Sequence, residues 1–365
     1  MATQIQEVSI PQVNLEEDLQ SQIEAVSANG TPVKITGGNT KSFYGHVVNA
    51  LEINVSGHSG IIDYDPAELV ITLRAGCKLK DVELLLAEKG QMLGFEPPCF
   101  GEEATIGGIV ASGLTGPRRA FSGAIRDFIL GVKLLNGRGE IVNFGGRVIK
   151  NVAGFDVSRL MVGALGTLGI LLEVSIRVIP KFEAETTLSF EHADAQTHID
   201  WINQKRRFPY PISASVWYQG KTKIRLSGSQ QGLYSACEDL GGDNKIDNDD
   251  TWSKLKEQTH PFFGPVKSLA RVSVPSVEVN FLPAEPQLIE WGGAQRWIET
   301  PQENLGQLRQ QVESHRGTVC AYQGYDGHAE IFHRPTDGIL ALHRNLKSSF
   351  DPAGIFNPGR MYAGL

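Results

Sequence analysis

The run Ile35-Thr36-Gly37-Gly38-Asn39-Thr40-Lys41 ends a short apolar stretch, Pro32 to Thr36, on two glycines and an asparagine. Glycine reaches backbone angles closed to other residues, and without a Cβ it lets a neighbouring group come close to the main chain. A strand that runs into such a turn exposes several N–H groups in one place, which is how backbone binds anions. Two further runs repeat the theme, Ala104-Thr105-Ile106-Gly107-Gly108-Ile109-Val110-Ala111-Ser112-Gly113 and Gly163-Ala164-Leu165-Gly166-Thr167-Leu168-Gly169. A single loop of this kind is compatible with an ordinary turn or bulge in a β-rich domain. Three within the first half of the chain favour a large, extended ligand with a diphosphate in it. None has the G-x-G-x-x-G spacing at a first β–α turn or the G-x-x-x-x-G-K-[ST] spacing, so dinucleotide-fold and P-loop readings both fail.

Around these loops the periodicity reads as alternating strands and helices. Asn14 to Gly30 has a helical stripe of Leu15, Leu19, Ile23 and Val26, with Asn14 as the expected cap, Glu17 as the second half of a capping box and Gly30 as the stop. Leu69 to Leu73 reads as a strand, and Leu79, Val82, Leu85 and Leu86 as a helix ending at Gly90. Phe128 to Leu135 and Glu140 to Phe144 flank Asn136-Gly137-Arg138-Gly139 as a hairpin. Ile170 to Val178 alternates like a half-buried strand and ends at Pro180. Beyond Pro180 glycine thins out and a strand–helix–strand–strand–helix rhythm begins at Thr186. Gly241 to Asp250 reads as an exposed acidic loop, and a similar rhythm then resumes from Arg271, suggesting a second copy of one α+β layer.

The 365 residues carry 34 Lys and Arg against 41 Asp and Glu, a formal net charge of −7. That balance lacks the basic face a nucleic-acid partner requires. No apolar run reaches the length of a membrane span and no basic, then apolar, leader opens the chain, so direct membrane insertion is not expected and a cytoplasmic chain is. Cys77, Cys99, Cys237 and Cys320 are scattered, with no C-x-x-C pair. Neither a zinc site nor an iron–sulfur cluster is therefore expected on this chain, nor a disulfide framework.

The order of motifs resembles the FAD-binding domain of the vanillyl-alcohol-oxidase, or PCMH-type, flavoproteins over Val33 to Pro180. Besides the three loops, the matching pieces are Arg126-Asp127 and Lys150-Asn151-Val152-Ala153-Gly154-Phe155-Asp156. The resemblance implies an α+β fold: a two-part FAD-binding domain over residues 1–181, an α+β cap over 182–340, and a C-terminal segment, 341–365, packing back on the first domain. It also implies roles. Thr36, Gly37, Gly38, Asn39 and Thr40 would hold the FAD pyrophosphate through backbone N–H groups, with Thr105, Gly107 and Gly108 along the same path. Ser112, Gly113 and Ser122 would approach the ribityl chain or the isoalloxazine, and Gly169 and Ile170 the adenine end. Some members of the family attach flavin covalently through a histidine in the first loop. Asn39 occupies that position here, so dissociable FAD is expected.

A narrower resemblance, to the E-subunit family of glycolate oxidases, rests on Gly101-Glu102-Glu103-Ala104-Thr105, Leu114-Thr115-Gly116-Pro117-Arg118-Arg119, Ile289-Glu290-Trp291-Gly292-Gly293-Ala294 with Arg296-Trp297, and Gly354-Ile355-Phe356-Asn357-Pro358-Gly359-Arg360-Met361-Tyr362. It implies a small 2-hydroxy acid as substrate, a larger FAD-binding glycolate oxidase subunit and an iron–sulfur subunit as partners, and any membrane association made through that complex. Larger hydroxy-acid members carry a histidine pair that binds a metal. The comparable territory here, Tyr325-Asp326-Gly327-His328 with His333, has a spacing of five that turns the two rings to opposite faces of a strand, so no metal site is expected. Two readings of the chain stay open at this point, a subunit that itself oxidises substrate and one that serves assembly or electron relay, beside a stand-alone oxidoreductase of another substrate. Arg271 is the candidate anchor for an anionic substrate, because a guanidinium grips a carboxylate in two places, although an exposed strand arginine reads the same way. Arg118 and Arg119 could offset phosphate charge or belong to a solvated turn.

Overall fold

The computed structural model describes residues 10–146, 156–242, 244–246, 249–264, 268–282, 286–326 and 329–365. Lys150 to Phe155, Gly327 and His328 lie outside the described residues. The chain folds as two compact units, one of Met1–Leu114, Ile125–Lys181 and Pro335–Leu365, the other of Thr115–Ala124 and Phe182–Arg334.

In chain order the first unit supplies α1 (Glu16–Asn29), β1 (Val33–Thr36), β2 (Leu51–Asn54), β3 (Ile61–Asp65), β4 (Val70–Arg74), α2 (Leu79–Glu88), β5 (Gln91–Met92) and α3 (Ile106–Ser112). The second contributes the short α4 (Arg119–Ser122), after which β6 (Ile129–Leu135), β7 (Ile141–Gly145), β8 (Ile170–Arg177) and β9 (Ile179–Pro180) return to the first. The second unit then runs β10 (Ala184–Glu191), α5 (Ala195–Lys205), β11 (Ile212–Tyr218), β12 (Lys221–Gly228), α6 (Gln230–Leu240), β13 (Asn244–Ile246) and α7 (Thr251–Lys256). It continues with β14 (Leu269–Ser273), β15 (Gln287–Glu290), β16 (Gln295–Glu299), α8 (Leu305–Ser314) and β17 (Thr318–Gln323), and α9 (Asp337–Phe350) closes the chain in the first unit.

The first unit is built on an antiparallel sheet of order β3-β4-β8-β6-β7. One core cluster joins Ile71, Leu73, Val174 and Ile176 of the sheet to Leu79, Val82 and Leu86 of α2 and to Ile106, Ile109 and Val110 of α3. A second joins Leu135, Ile170 and Leu172 to Leu19 and Ile23 of α1, to Val33 and Ile53 of the parallel pair β1-β2, and to Ile355 and Phe356 of the tail. A sheet covered on both sides explains why β8 is buried almost throughout instead of alternating as its sequence suggests. Each fully buried Ile or Leu adds about 2 kcal/mol of apolar burial. The carboxylate of β8 is accommodated by pairing: Glu173 accepts from Lys133 Nζ at 3.3 Å, and Lys133 also reaches Glu16 at 2.6 Å.

Helix α1 starts one residue later than the capping pattern implies. Leu15 is the N-cap and no side chain caps it. Its N–H donates to Nδ1 of the buried His58 at 3.0 Å, which leaves Asn14 only a local turn onto the Glu16 N–H. Gly30 ends the helix in the left-handed conformation, as its position predicts.

The second unit is one antiparallel sheet of order β13-β10-β12-β11-β15-β16-β14-β17. Its first half is β10-α5-β11-β12-α6-β13 with spatial order fourth, first, third, second. Its second half, β14, β15, β16, β17, has the same order read from the opposite edge, and the halves join where β11 pairs with β15. The suspected repeat is thus present in the strand order. Among the described residues the second half has no helix between its first two strands. The acidic stretch expected as a plain loop contains β13, which pairs with β10.

Candidate cofactor site

Strand β1 delivers the first glycine loop to the surface of the first unit. Gly38 sits so close to the segment ahead of α3 that a Cβ built there would lie 1.4 Å from the Glu103 carbonyl oxygen, and one on Gly37 would lie 2.5 Å from Thr105 Oγ1. Asn39 takes a left-handed φ of 55°, a conformation that asparagine tolerates better than most side chains. Among the described residues the N–H groups of Gly37, Gly38, Asn39 and Thr40 donate to no protein acceptor. Lys41 Nζ holds the far side of the turn through Thr40 Oγ1 at 3.3 Å and the Cys99 carbonyl at 3.1 Å.

The second loop is spent differently. Thr105 caps α3, its Oγ1 accepting from the Gly108 N–H at 3.2 Å. The Ile106 and Gly107 N–H groups donate to Cys77 O and Ala75 O at 2.9 and 2.7 Å. A Cβ on Gly107 would lie 2.9 Å from that of Ala75. These glycines let a helix end press against the β4–α2 turn, and they offer the cleft a smooth wall instead of donors. Gly113 is the left-handed C-cap of α3.

The third loop hangs on the second and on the chain terminus. Gly163 and Leu165 N–H groups donate to Val110 O and Ala111 O. From the tail, Asn357 accepts the Ile35 N–H through Oδ1 at 2.8 Å and donates through Nδ2 to Leu165 O at 2.6 Å. Arg360 donates to the carbonyls of Ser42, Tyr44 and His46 at 3.2, 2.9 and 3.2 Å. Lys347 of α9, buried, reaches Thr167 O, Phe356 O and Asp351, and burial lowers its pKa despite the carboxylate beside it.

Together the three loops and the tail wall an open cleft. Thr36, Gly37, Gly38, Asn39, Thr40, Thr105, Gly107, Gly108, Ser112 and Gly169 all line it. Gly113 and Ile170 do not line it, and Ile170 is fully buried in the core. Ser122 belongs to the second unit, its hydroxyl donating to Arg118 O at 3.0 Å. The cleft also takes residues the sequence did not single out as ligand-facing: Lys34, Lys41, Asn357 and Arg360 among the polar ones, Met161 and Leu171 among the apolar. The tail motif around Asn357 was the available signal. Lys34 is 3.7 Å from Glu52, whereas Arg360 has no carboxylate partner among the described residues. Burial lowers the Arg360 pKa from its ordinary value, which still leaves the guanidinium charged.

Four unpaired N–H groups beside cationic side chains make this cleft fit a ligand with a compact anionic centre, as a diphosphate has, between apolar and glycine-smooth walls. The other candidates are engaged elsewhere. Arg118 is neither a phosphate partner nor a solvated turn residue: it is buried within the second unit, paired with Glu185 at 2.5 Å and Ser227 at 3.1 Å. Arg119 stacks on Trp291 at 4.5 Å. Arg271 lies half-buried on β14 with its guanidinium 5.5 Å from the Tyr322 ring. His333 pairs with Glu313 at 3.0 Å, and among the described residues no three His, Cys, Asp or Glu side chains gather as a metal site.

Fold and cleft define a flavoprotein of the PCMH type, and comparison with known proteins agrees. Residues 10–145 match the FAD binding domain family. The chain is 42% identical over 348 residues to "Glycolate oxidase subunit GlcE" of Escherichia coli (strain K12), covering 95% of this chain and 97% of the relative, and it belongs to that subunit family. It is also 34% identical to "Glycolate oxidase subunit GlcD" of Bacillus subtilis (strain 168), over 40% of this chain and 32% of the relative, and 29% identical to "D-lactate dehydrogenase" of Anaerostipes hadrus, over 52% and 40%. Among solved structures, an alkyldihydroxyacetonephosphate synthase shares the fold with a TM-score of 0.65 at 15% identity, covering 95% of this chain and 76% of that one. The chain is an FAD-dependent oxidoreductase, and FAD is its cofactor. No helix among the described residues is long and apolar enough to cross a membrane.

Proposed function

We propose that this chain is the FAD-binding subunit of a glycolate oxidase or dehydrogenase, working with a larger flavin-binding subunit and an iron–sulfur subunit. The observation that carries the reading is the row of unpaired N–H groups from Gly37 to Thr40 in a cleft bordered by Lys34, Lys41 and Arg360, in a chain nearly coextensive with a glycolate oxidase subunit. Bound there, FAD would supply the two-electron acceptor needed for glycolate to lose two hydrogens and become glyoxylate. The protein's part is to bind and orient. Gly37 to Thr40 would hold the diphosphate by main-chain hydrogen bonds, and Lys34, Lys41 and Arg360 would supply positive charge. Thr105, Gly107, Gly108 and Ser112 form the wall along the ribityl path, with Gly169 at the adenine end. Asn39 stands where a covalent histidine link would need imidazole, so the cofactor dissociates. The scattered cysteines offer no cluster motif, so electrons pass on to the iron–sulfur partner.

Anaerobic addition of glycolate to the FAD-loaded chain, alone and mixed with the larger subunit, tests this. Bleaching of the visible flavin band by the isolated chain is the expected result. Bleaching only in the mixture assigns turnover to the larger subunit and leaves this chain as relay or assembly partner. No bleaching in either, with bleaching by another 2-hydroxy acid, moves the substrate.

A further inference from the structure

We infer that the C-terminal segment is part of the cofactor site, with Asn357 and Arg360 as positioning residues that hold two walls of the cleft in register. The inference rests on the assignment of FAD to that cleft. The walls hold themselves only in part. In the first loop, Gly37 to Thr40 spend none of their N–H groups on protein acceptors among the described residues. In the third, Gly163 and Leu165 bond to the end of α3 and Thr167 turns back onto Ala164 O, while Gly166 lies against Asn357 of the tail. Asn357 bridges these two loops with a single side chain, taking the Ile35 N–H on one oxygen and giving its amide to Leu165 O. It is 3% exposed, so both bonds are sheltered from water. Its main chain also joins β1, with Asn357 N donating to Val33 O and Val33 N to Ile355 O, which lays the tail beside β1 as a further parallel neighbour.

The fit is close on the other side as well. A Cβ on Gly166 would lie 2.7 Å from Asn357 Nδ2, and one on Gly45 would lie 3.0 Å from Arg360 O. Arg360 uses its fork on three carbonyls of the turn that follows the first loop, and its own carbonyl takes the His46 N–H. Two residues near the end of the sequence therefore fix the positions of loops more than a hundred residues apart, and both line the cleft themselves. Asn357 has a φ of 39°, so glycine can replace it without backbone strain while deleting both side-chain bonds.

The test compares Asn357→Gly, Arg360→Lys and Val82→Ala in the full chain stripped of flavin. Val82 is buried in α2 and does not line the cleft, so its truncation lowers stability without touching the site. Melting temperature of the flavin-free protein and the FAD dissociation constant, read by flavin fluorescence, are measured for each. Asn357→Gly is expected to raise the dissociation constant by at least about tenfold, as loss of one to two buried hydrogen bonds predicts. Arg360→Lys keeps the charge but loses the fork, with an expected rise of a few-fold. Val82→Ala should keep wild-type affinity at an equal or lower melting temperature. Wild-type affinity in both tail variants overturns the inference. So does a loss of affinity in Val82→Ala as large as theirs, because the tail would then matter only for stability. A wild-type chain that takes up no FAD removes the cofactor assignment itself, a failure recognisable by its independence of the tail.

Discussion

The first and second glycine loops look alike in sequence and are put to opposite uses. Gly37 and Gly38 lie where a Cβ would strike Thr105 or Glu103, and the four N–H groups of the loop they open meet no protein acceptor among the described residues. Gly107 and Gly108 begin a helix whose first N–H groups are already taken by Cys77, Ala75 and Thr105. One pair exposes donors and the other permits packing. The presence of glycine at a cofactor cleft therefore does not reveal its role; the destination of each N–H does.

That difference makes the two loops separable by mutation. The largest effect is expected from Gly38→Ala, where the Cβ has no space and the first loop must move. FAD affinity should fall by about a hundredfold or more, as loss of two charge-assisted hydrogen bonds implies, and the protein should purify largely without flavin. Gly107→Ala crowds Ala75 instead. Denaturant titration should show roughly 1–3 kcal/mol less stability, while the folded fraction keeps its FAD affinity within a few-fold.

Acid separates binding from stability in another way. Burial holds the His198 imidazole in the second unit down to about 3, against an ordinary value of 6.5. The unfolded chain then binds a proton below pH 6.5 that the folded chain refuses, so this contribution to stability is complete above 6.5 and declines as pH falls towards 3. One pH unit below 6.5 the loss is on the order of 1 kcal/mol, and His198→Gln should flatten the slope in denaturant titrations. The first loop's donors are amides and do not titrate, so FAD affinity of the folded protein should stay level across the same window. The smallest effect is expected from Thr105→Ala, which uncaps α3 at about 1 kcal/mol, with Thr105→Ser restoring it in thermal melts.

Much of this was legible in the residues. The three loops, the strands entering them and the helix stop at Gly30 are written in glycine placement and apolar spacing, which act locally. The repeat in the second unit was visible as rhythm but not as one sheet, because the β11–β15 pairing that joins its halves has no local signature. The sequence around Arg118 fits a counter-charge as well as a structural role, since nothing near it announces Glu185 or Ser227. Likewise Ser122 follows the second loop closely in the chain yet folds with the second unit. Asn357 and Arg360 were noticed as a motif, but their closeness to loops far back in the chain is a tertiary fact.

The most direct test is a crystal structure of the chain with FAD. Diphosphate oxygens are expected about 2.7–3.2 Å from the amide nitrogens in the Gly37 to Thr40 loop, with no covalent bond from Asn39. A diphosphate seated instead on the N-terminus of α3, with the Gly37 to Thr40 amides facing solvent, would contradict it.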